Sequence, residues 1–219
     1  MGKRGDDARS ALIETAERLL AERGVEAVSL RDVSAAAGQR NHSAAQYHFG
    51  DRAGLIAAVY EARMSVVNER RLGLLAQLDQ RETCADLPAL VEVFVAPLVG
   101  VVAETAGWYG RFVAQLRWDA FGADVLAGLP SAVSARDVLG RVDRCLRHLP
   151  VSVRRSRVEQ LITLVFGTIA GWEWARDRQR PPGLSAGLLV AELVATGVSV
   201  LEAPVASPRT SSRLVALRD

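Results

Sequence analysis

Three glycine stops, each followed by a side-chain cap, divide roughly the first 60 residues into short helices: Gly24 precedes Ser29, Gly38 precedes Asn41, and Gly50 precedes Asp51. Glycine ends a helix because it adopts the left-handed conformation at no steric cost, and a short polar side chain starts the next by accepting a free backbone N–H. Between these signals the apolar residues recur at helical spacing. Leu12, Ile13, Ala16, Leu19 and Leu20 mark a first helix ending at Gly24. Ser29 with Asp32 forms a variant capping box, and Val28 and Val33 occupy the two positions of a hydrophobic staple. Leu30, Val33 and Ala37 face inward, and Gly38 breaks this second helix. A third is expected from an Asn41 cap through His42 to His48, closing near Phe49 and Gly50. Asp51 caps a fourth, carrying Leu55, Ile56, Val59 and Tyr60 and running toward Leu78.

The rest of the chain keeps the helical period, and no run alternates as a strand would. Expected helices cover Leu87 to Glu104 with Pro97 inside, an aromatic-rich stretch from Trp108 to Phe121, Arg136 to Leu149 ended by Pro150, a long helix capped by Ser152 and reaching Arg178, and Leu184 to Glu202. Pro181-Pro182-Gly183 is a hard break. The fold class is therefore all-α: a three-helix helix-turn-helix domain over residues 1–50, a larger helical ligand-binding and dimerisation domain over 51–204, and a flexible tail over 205–219.

Composition excludes several classes of function. Apolar residues make up 49% of the 219 and charged residues 24%, which suits a folded core rather than a disordered chain. The net charge is +2, and the first 55 residues carry eight basic and eight acidic groups, so any nucleic-acid contact must come from placement rather than bulk charge. The N-terminus has no apolar signal segment. No apolar run reaches the roughly 20 residues a membrane span needs; Leu161 to Trp172 comes nearest, and Gly183 to Leu201 contains Glu192. A cytoplasmic protein without membrane contact is expected. Cys84 and Cys145 read as reduced thiols, and His42, His48 and His148 are not spaced as metal ligands. With no glycine-rich phosphate loop and no nucleophile elbow, neither enzyme, cofactor nor metal is expected.

Two short helices joined by a glycine turn, with a third behind them, have the order of a helix-turn-helix. The second helix of that pair enters a major groove about 12 Å wide, so its leading residues must be small or able to hydrogen-bond. Here they are His42, Ser43, Ala44 and Gln46, of which Gln46 can pair bidentately with adenine. Tyr47 and His48 can reach phosphates, as can Arg40 and Arg52 on either side. Ser29 and Asn41 join the set, because helix N-termini offer free N–H groups to phosphate. The pattern alone leaves open a three-helix cap that only packs against the remainder.

The segments ALIETAERLLAERGVEAVSLRDVSAAAG and YHFGDRAGLIAAV, within Arg9 to Tyr60, resemble the N-terminal domain of the TetR family of transcriptional regulators. The resemblance implies a homodimeric repressor that leaves a palindromic operator when a small apolar or amphipathic effector binds. Two departures stand out: the turn Gln39-Arg40-Asn41 is one residue longer than the family's, and the tyrosine usual three residues before Phe49 is Gln46, with Tyr47 one later. Within the larger domain, Trp108, Tyr109, Phe112, Trp118, Phe121 and Trp172 are candidates to line an apolar ligand pocket, with ordinary core packing as the alternative for each. Gly167 and Gly171 beside Leu164 and Ile169 permit close helix approach. Leu188, Leu189, Leu193, Val194, Val198 and Leu201 give the last helix an apolar surface wider than one core requires, so the last two helices are expected to form the dimer. A helical protein-interaction adaptor without specific DNA binding is the alternative reading.

Overall fold

The computed structural model describes residues 3–41, 43–80, 86–105, 107–119, 121, 122, 125, 129, 132–178 and 183–205. Nine long or well-defined helices lie among them, and no strand. They are α1 (Lys3–Arg23), α2 (Leu30–Ala36), α3 (Ala44–Phe49), α4 (Arg52–Asp79), α5 (Leu87–Glu104), α6 (Tyr109–Trp118), α7 (Val133–Cys145), α8 (Val151–Asp177) and α9 (Ala186–Glu202). The expected sites Cys84, His42 and the tail beyond Val205 lie outside the described residues.

The N-terminal helices form where the caps place them. Gly24, Gly38 and Gly50 have φ of +84°, +66° and +76°, a region that side chains with a Cβ rarely enter. Ser29 Oγ accepts from Asp32 N and Asp32 accepts from Ser29 N, closing the capping box. Asp51 Oδ1 accepts from Gly54 N at 2.8 Å and starts α4. The apolar faces of α1, α2 and α3 meet the first turns of α4, burying Leu12, Ala16, Leu19, Val28, Val33, Ala45, Leu55 and Ile56.

α4 then leaves this cluster and continues through Tyr60, Met64, Val67 and Leu75 into the larger helical body. There α9 packs on α5 and α8, and α6 packs on α8 and back onto α1. Gly197 of α9 is a close-approach point, where an added Cβ would sit 2.8 Å from Leu161 and 3.2 Å from Val91. Pro97 stands inside α5 and has no N–H, so the Val93 carbonyl one turn back loses its usual donor. Arg71 of α4 supplies a replacement: Nε donates to Val93 O at 3.3 Å and Nη2 to Phe94 O at 2.8 Å.

Three sequence expectations change. α3 begins at Ala44, not near Asn41, and Ser43 at its N-cap makes no side-chain cap bond. α8 begins at Val151 with Pro150 as its N-cap: Pro150 both ends the preceding segment and, with φ already fixed near the helical value, opens the next, so Ser152 lies inside the helix and not at its cap. The apolar run nearest to a membrane span is α5, not Leu161 to Trp172. Its 18 residues are long and apolar enough by length and composition, yet Leu90, Val91, Phe94, Val95, Leu98 and Val102 are buried in the protein core.

Candidate nucleic-acid interface

The outward face of α3 and the turn before it are held from behind by a residue that the sequence pattern did not single out. Ser34 of α2 is fully buried. Its hydroxyl donates to Leu30 O at 3.0 Å and accepts from Ala45 N at 3.0 Å. α3 has no cap of its own, so Ser34 caps it from the neighbouring helix and fixes the angle between the two. The only signal in the sequence was a small polar residue on the inward stripe of α2, spaced by one from Val33. At the other end of α3, Phe49 is buried beneath the Arg9 guanidinium, 5.5 Å from the ring centre. A Cβ on Gly54 would lie 2.1 Å from Phe49 O, so only glycine lets α4 start this close to the end of α3.

The longer turn is absorbed locally. Asn41 Oδ1 accepts from Ser43 N at 2.9 Å and Asn41 O accepts from Ala44 N at 3.0 Å, an Asx turn that spends the extra residue before the helix begins. Arg40, Asn41 and Ser43 are exposed here. Ser43, Gln46 and Tyr47 are spaced i, i+3, i+4 and form one outward stripe, with Tyr47 85% exposed. Ala44 and His48 are half-buried at its edges, and the Tyr47 and His48 rings meet edge to face with centroids 5.3 Å apart.

Two expected phosphate ligands are otherwise engaged. Arg52 turns inward: Nη2 donates to Val25 O and the guanidinium lies 5.5 Å from the Phe121 ring centre. Its stem and head bind the α1–α2 turn to the base of the reader. Ser29 is exposed, but its hydroxyl is committed to Asp32, and these bonds hold the Asp32 carboxyl below its ordinary range. Because the folded pKa is depressed, this cap persists above the unfolded value of 3.8 and is lost as pH falls through the folded value. Ser29→Ala is expected to cost about 0.5–2 kcal/mol in urea unfolding at neutral pH, and a variant as stable as the parent would show the cap to be idle.

The six aromatic candidates for a ligand pocket do not come together. Tyr109 and Phe112 are fully buried with ring centroids 6.0 Å apart. Trp108 is half-buried beneath the Arg111 guanidinium, 3.7 Å from its ring centre. Trp172 donates its indole N–H to Leu184 O at 2.9 Å. Trp118 is 75% exposed and Phe121 44% exposed, so neither lines an enclosed space. They sit at or beyond the C-terminal end of α6, where the helix emerges from its neighbours.

The first turn of α6 gathers two buried carboxylates, Glu17 and Glu173. Glu17 Oε1, from α1, accepts from Trp108 N at 2.8 Å, and its Oε2 pairs with Arg63 Nε at 3.3 Å. Glu173, from α8, accepts from Gly110 N at 3.0 Å, Arg111 N at 3.0 Å and Arg111 Nε at 3.1 Å. Burial raises the Glu173 pKa, and the N–H donors and the Arg111 charge oppose that rise. Carboxylates at a helix N-terminus satisfy its free N–H groups and its positive dipole end. α6 is thereby tied to α1 at the reader and to α8 in the larger body. No group of three or more histidine, cysteine, aspartate or glutamate side chains among the described residues could hold a metal.

Residues 12–59 match the profile described as bacterial regulatory proteins, tetR family. No curated protein matches the chain by sequence. Solved structures of similar fold include a TetR family transcription regulator from Marinobacter aquaeolei VT8, at 18% identity, covering 91% of this chain and 98% of that one, with a TM-score of 0.60. Another is NalD of Pseudomonas aeruginosa, the secondary repressor of the MexAB-OprM multidrug efflux pump, at 16% identity, 91% and 98% coverage and a TM-score of 0.55. A third is AibR in complex with isovaleryl coenzyme A and operator DNA, at 14% identity, 86% and 97% coverage and a TM-score of 0.57.

Proposed function

We propose that this chain is a DNA-binding transcriptional regulator of the tetR family, whose profile its residues 12–59 match, and that it acts as a cytoplasmic homodimeric repressor released from a palindromic operator by a small apolar or amphipathic ligand. The observation that carries this reading is the exposed stripe Ser43, Gln46 and Tyr47 on a helix whose back is pinned by Ser34, Ala45 and Phe49. Gln46 meets a base edge. Ser43 and Ala44 permit close approach, and Tyr47 with Arg40 and Asn41 reaches flanking phosphates. Ser29, His48 and Arg52 support the reader from its edges.

The dimer forms through α8 and α9. Gly167 and Gly171 are exposed on α8, and a Cβ at either would meet nothing within 4 Å in the protomer. Leu188 on α9 is 48% exposed, and Val190, Val194 and Val198 are half-buried beside it. A partner helix packed over this strip would bury both. Gly171→Phe is expected to leave the protomer folded, since the side chain has open space, and to convert the dimer to a monomer in sedimentation velocity; an unchanged dimer would move the interface elsewhere.

The ligand acts between the central helices, around the buried Tyr109 and Phe112, and α4 carries the change to the reader. AibR, with operator DNA and an acyl-coenzyme A in one structure, supports a scaffold of this kind serving both partners. Two reading helices related by a two-fold axis require half-sites roughly 34–36 Å apart. Selection from random duplexes tests this: an enriched inverted repeat with that spacing is expected, and enrichment of unpaired single sites would refute the dimeric reader.

A further inference from the structure

Among the described residues, the largest fully buried side chain is a cation with no anion beside it. Arg71 of α4 is 1% exposed. Its hydrogen-bond acceptors are all neutral: Val93 O, Phe94 O, and Ser134 Oγ at 3.3 Å. Among the described residues no carboxylate pairs with it, and the ionisable groups that act on it are the hydroxyls of Tyr60 and Tyr109. Desolvation lowers its pKa to about 10, which still leaves it charged at neutral pH.

Four other arginines engaged in the interior are compensated, whereas the half-buried Arg52 has the Val25 carbonyl. Arg63 meets Glu17, and Arg111 meets Glu173. Arg157 donates to the carbonyls of Leu201 and Ala203 at the end of α9, and Arg176 to those of Val102, Ala103 and Thr105 at the end of α5. Helix C-termini carry a partial negative charge, so these two guanidinium groups sit in a favourable field. The carbonyls facing Arg71 lie in the middle of α5 and lack that field. Bonding the carbonyl that Pro97 orphans explains one hydrogen bond. It does not explain a full positive charge where a neutral amide would serve, because removing a charge from water without a counter-charge is costly.

The surroundings add a direction. Ser134 stands in the first turn of α7, whose N-cap Ala132 makes no side-chain bond, and Ser134 N is held by Asn68 Oδ1 at 3.2 Å. Tyr109 Oη donates to Tyr60 O at 3.2 Å. Tyr60, Arg71, Tyr109 and Ser134 are thus buried among the apolar side chains of α4, α5, α6 and α7, with Asn68 half-buried at the edge. A guanidinium has five N–H donors, and three acceptors leave one N–H on each Nη uncommitted. Two N–H groups on one planar head match the two oxygens of a carboxylate.

Resting on the reading of the protein as a ligand-responsive regulator, we propose that Arg71 is the anchor for the acidic group of the effector, which is an amphipathic carboxylic acid with its apolar body among the core side chains of α4 to α7. Such a ligand supplies the missing counter-charge. It competes with Val93, Phe94 and Ser134 for the guanidinium, and so shifts α4, the helix that also carries the base of the reader.

The test uses the full-length protein with octanoate and 4-phenylbutyrate as probes, and octanamide and 4-phenylbutanamide as their neutral counterparts. Thermal unfolding and operator affinity are both read. At least one acid is expected to raise the melting temperature by roughly 5–10 °C at a hundredfold excess over its Kd, while its amide leaves it unchanged. Arg71→Gln is expected to abolish the shift and Arg71→Lys to keep part of it. The proposal is overturned if neither acid shifts the transition, if acid and amide act alike, or if Arg71→Gln responds fully. Should that variant not fold, the acid–amide comparison on the unaltered protein still decides. A neutral compound that releases operator where both acids fail would sink the acidic ligand and leave the regulator intact. Acids that bind through Arg71 without changing operator affinity would keep the ligand class and refute ligand-driven release.

Discussion

Replacing Gln46 and Tyr47 together by alanine will weaken operator binding by about one to two orders of magnitude while leaving the fold in place. A side chain bidentate to a base contributes about 1–3 kcal/mol of discrimination, and loss of a phosphate contact adds to it. Both residues are exposed, and among the described residues neither side chain hydrogen-bonds to another, so alanine removes the outward groups and the edge contact of Tyr47 with His48. Alanine is also the strongest helix former, which favours α3. Circular dichroism should therefore superimpose on the parent, and fluorescence anisotropy should show the loss. Unchanged affinity with an unchanged fold would place the reading surface elsewhere.

The largest effect on stability is expected at a residue far from DNA. Glu173→Ala deletes a carboxylate that is 1% exposed and accepts from Gly110 N, Arg111 N and Arg111 Nε. The loss strands two N–H groups of the α6 first turn and a guanidinium whose side chain is 12% exposed. Breaking a buried pair by removing one partner typically costs about 3–5 kcal/mol. For a chain of this size that lowers the melting temperature by roughly 10 °C. The comparison must be made at one protein concentration, since dimerisation contributes to apparent stability. Glu173→Gln, which keeps an acceptor for one N–H, should lie between the two. A variant that melts with the parent would mean that α6 holds its position without this carboxylate.

The N-terminal fold was legible because its signals are local. Ser29 with Asp32, Asp51, and the glycines at 24, 38 and 50 each act within four residues of themselves, and all are found in the expected roles. Expectation and structure part where a distant residue takes over a local task. Asn41 looked like the cap of α3, yet Ser34, eleven residues before Ala45, is the group that caps it. Arg52 looked like a phosphate ligand from its place after the turn, and the Val25 carbonyl claims it. The same holds for the larger body. Helical spacing located α5, α8 and α9, but periodicity does not say whether an aromatic lies inward or at a helix end. That difference separates Phe112 from Trp118, six residues apart on one helix. Nothing in the sequence around Arg71 marks it as enclosed; packing does that.

Operator binding across a salt series tests the central claim most directly, using duplexes from the DNA flanking the gene alongside shuffled controls. The account predicts tight binding to one flanking duplex, a weaker affinity for the shuffled sequence, and a log–log salt slope of several units set by the phosphates neutralised in both half-sites. Equal affinity for every flanking and shuffled duplex, at every salt concentration, would contradict it.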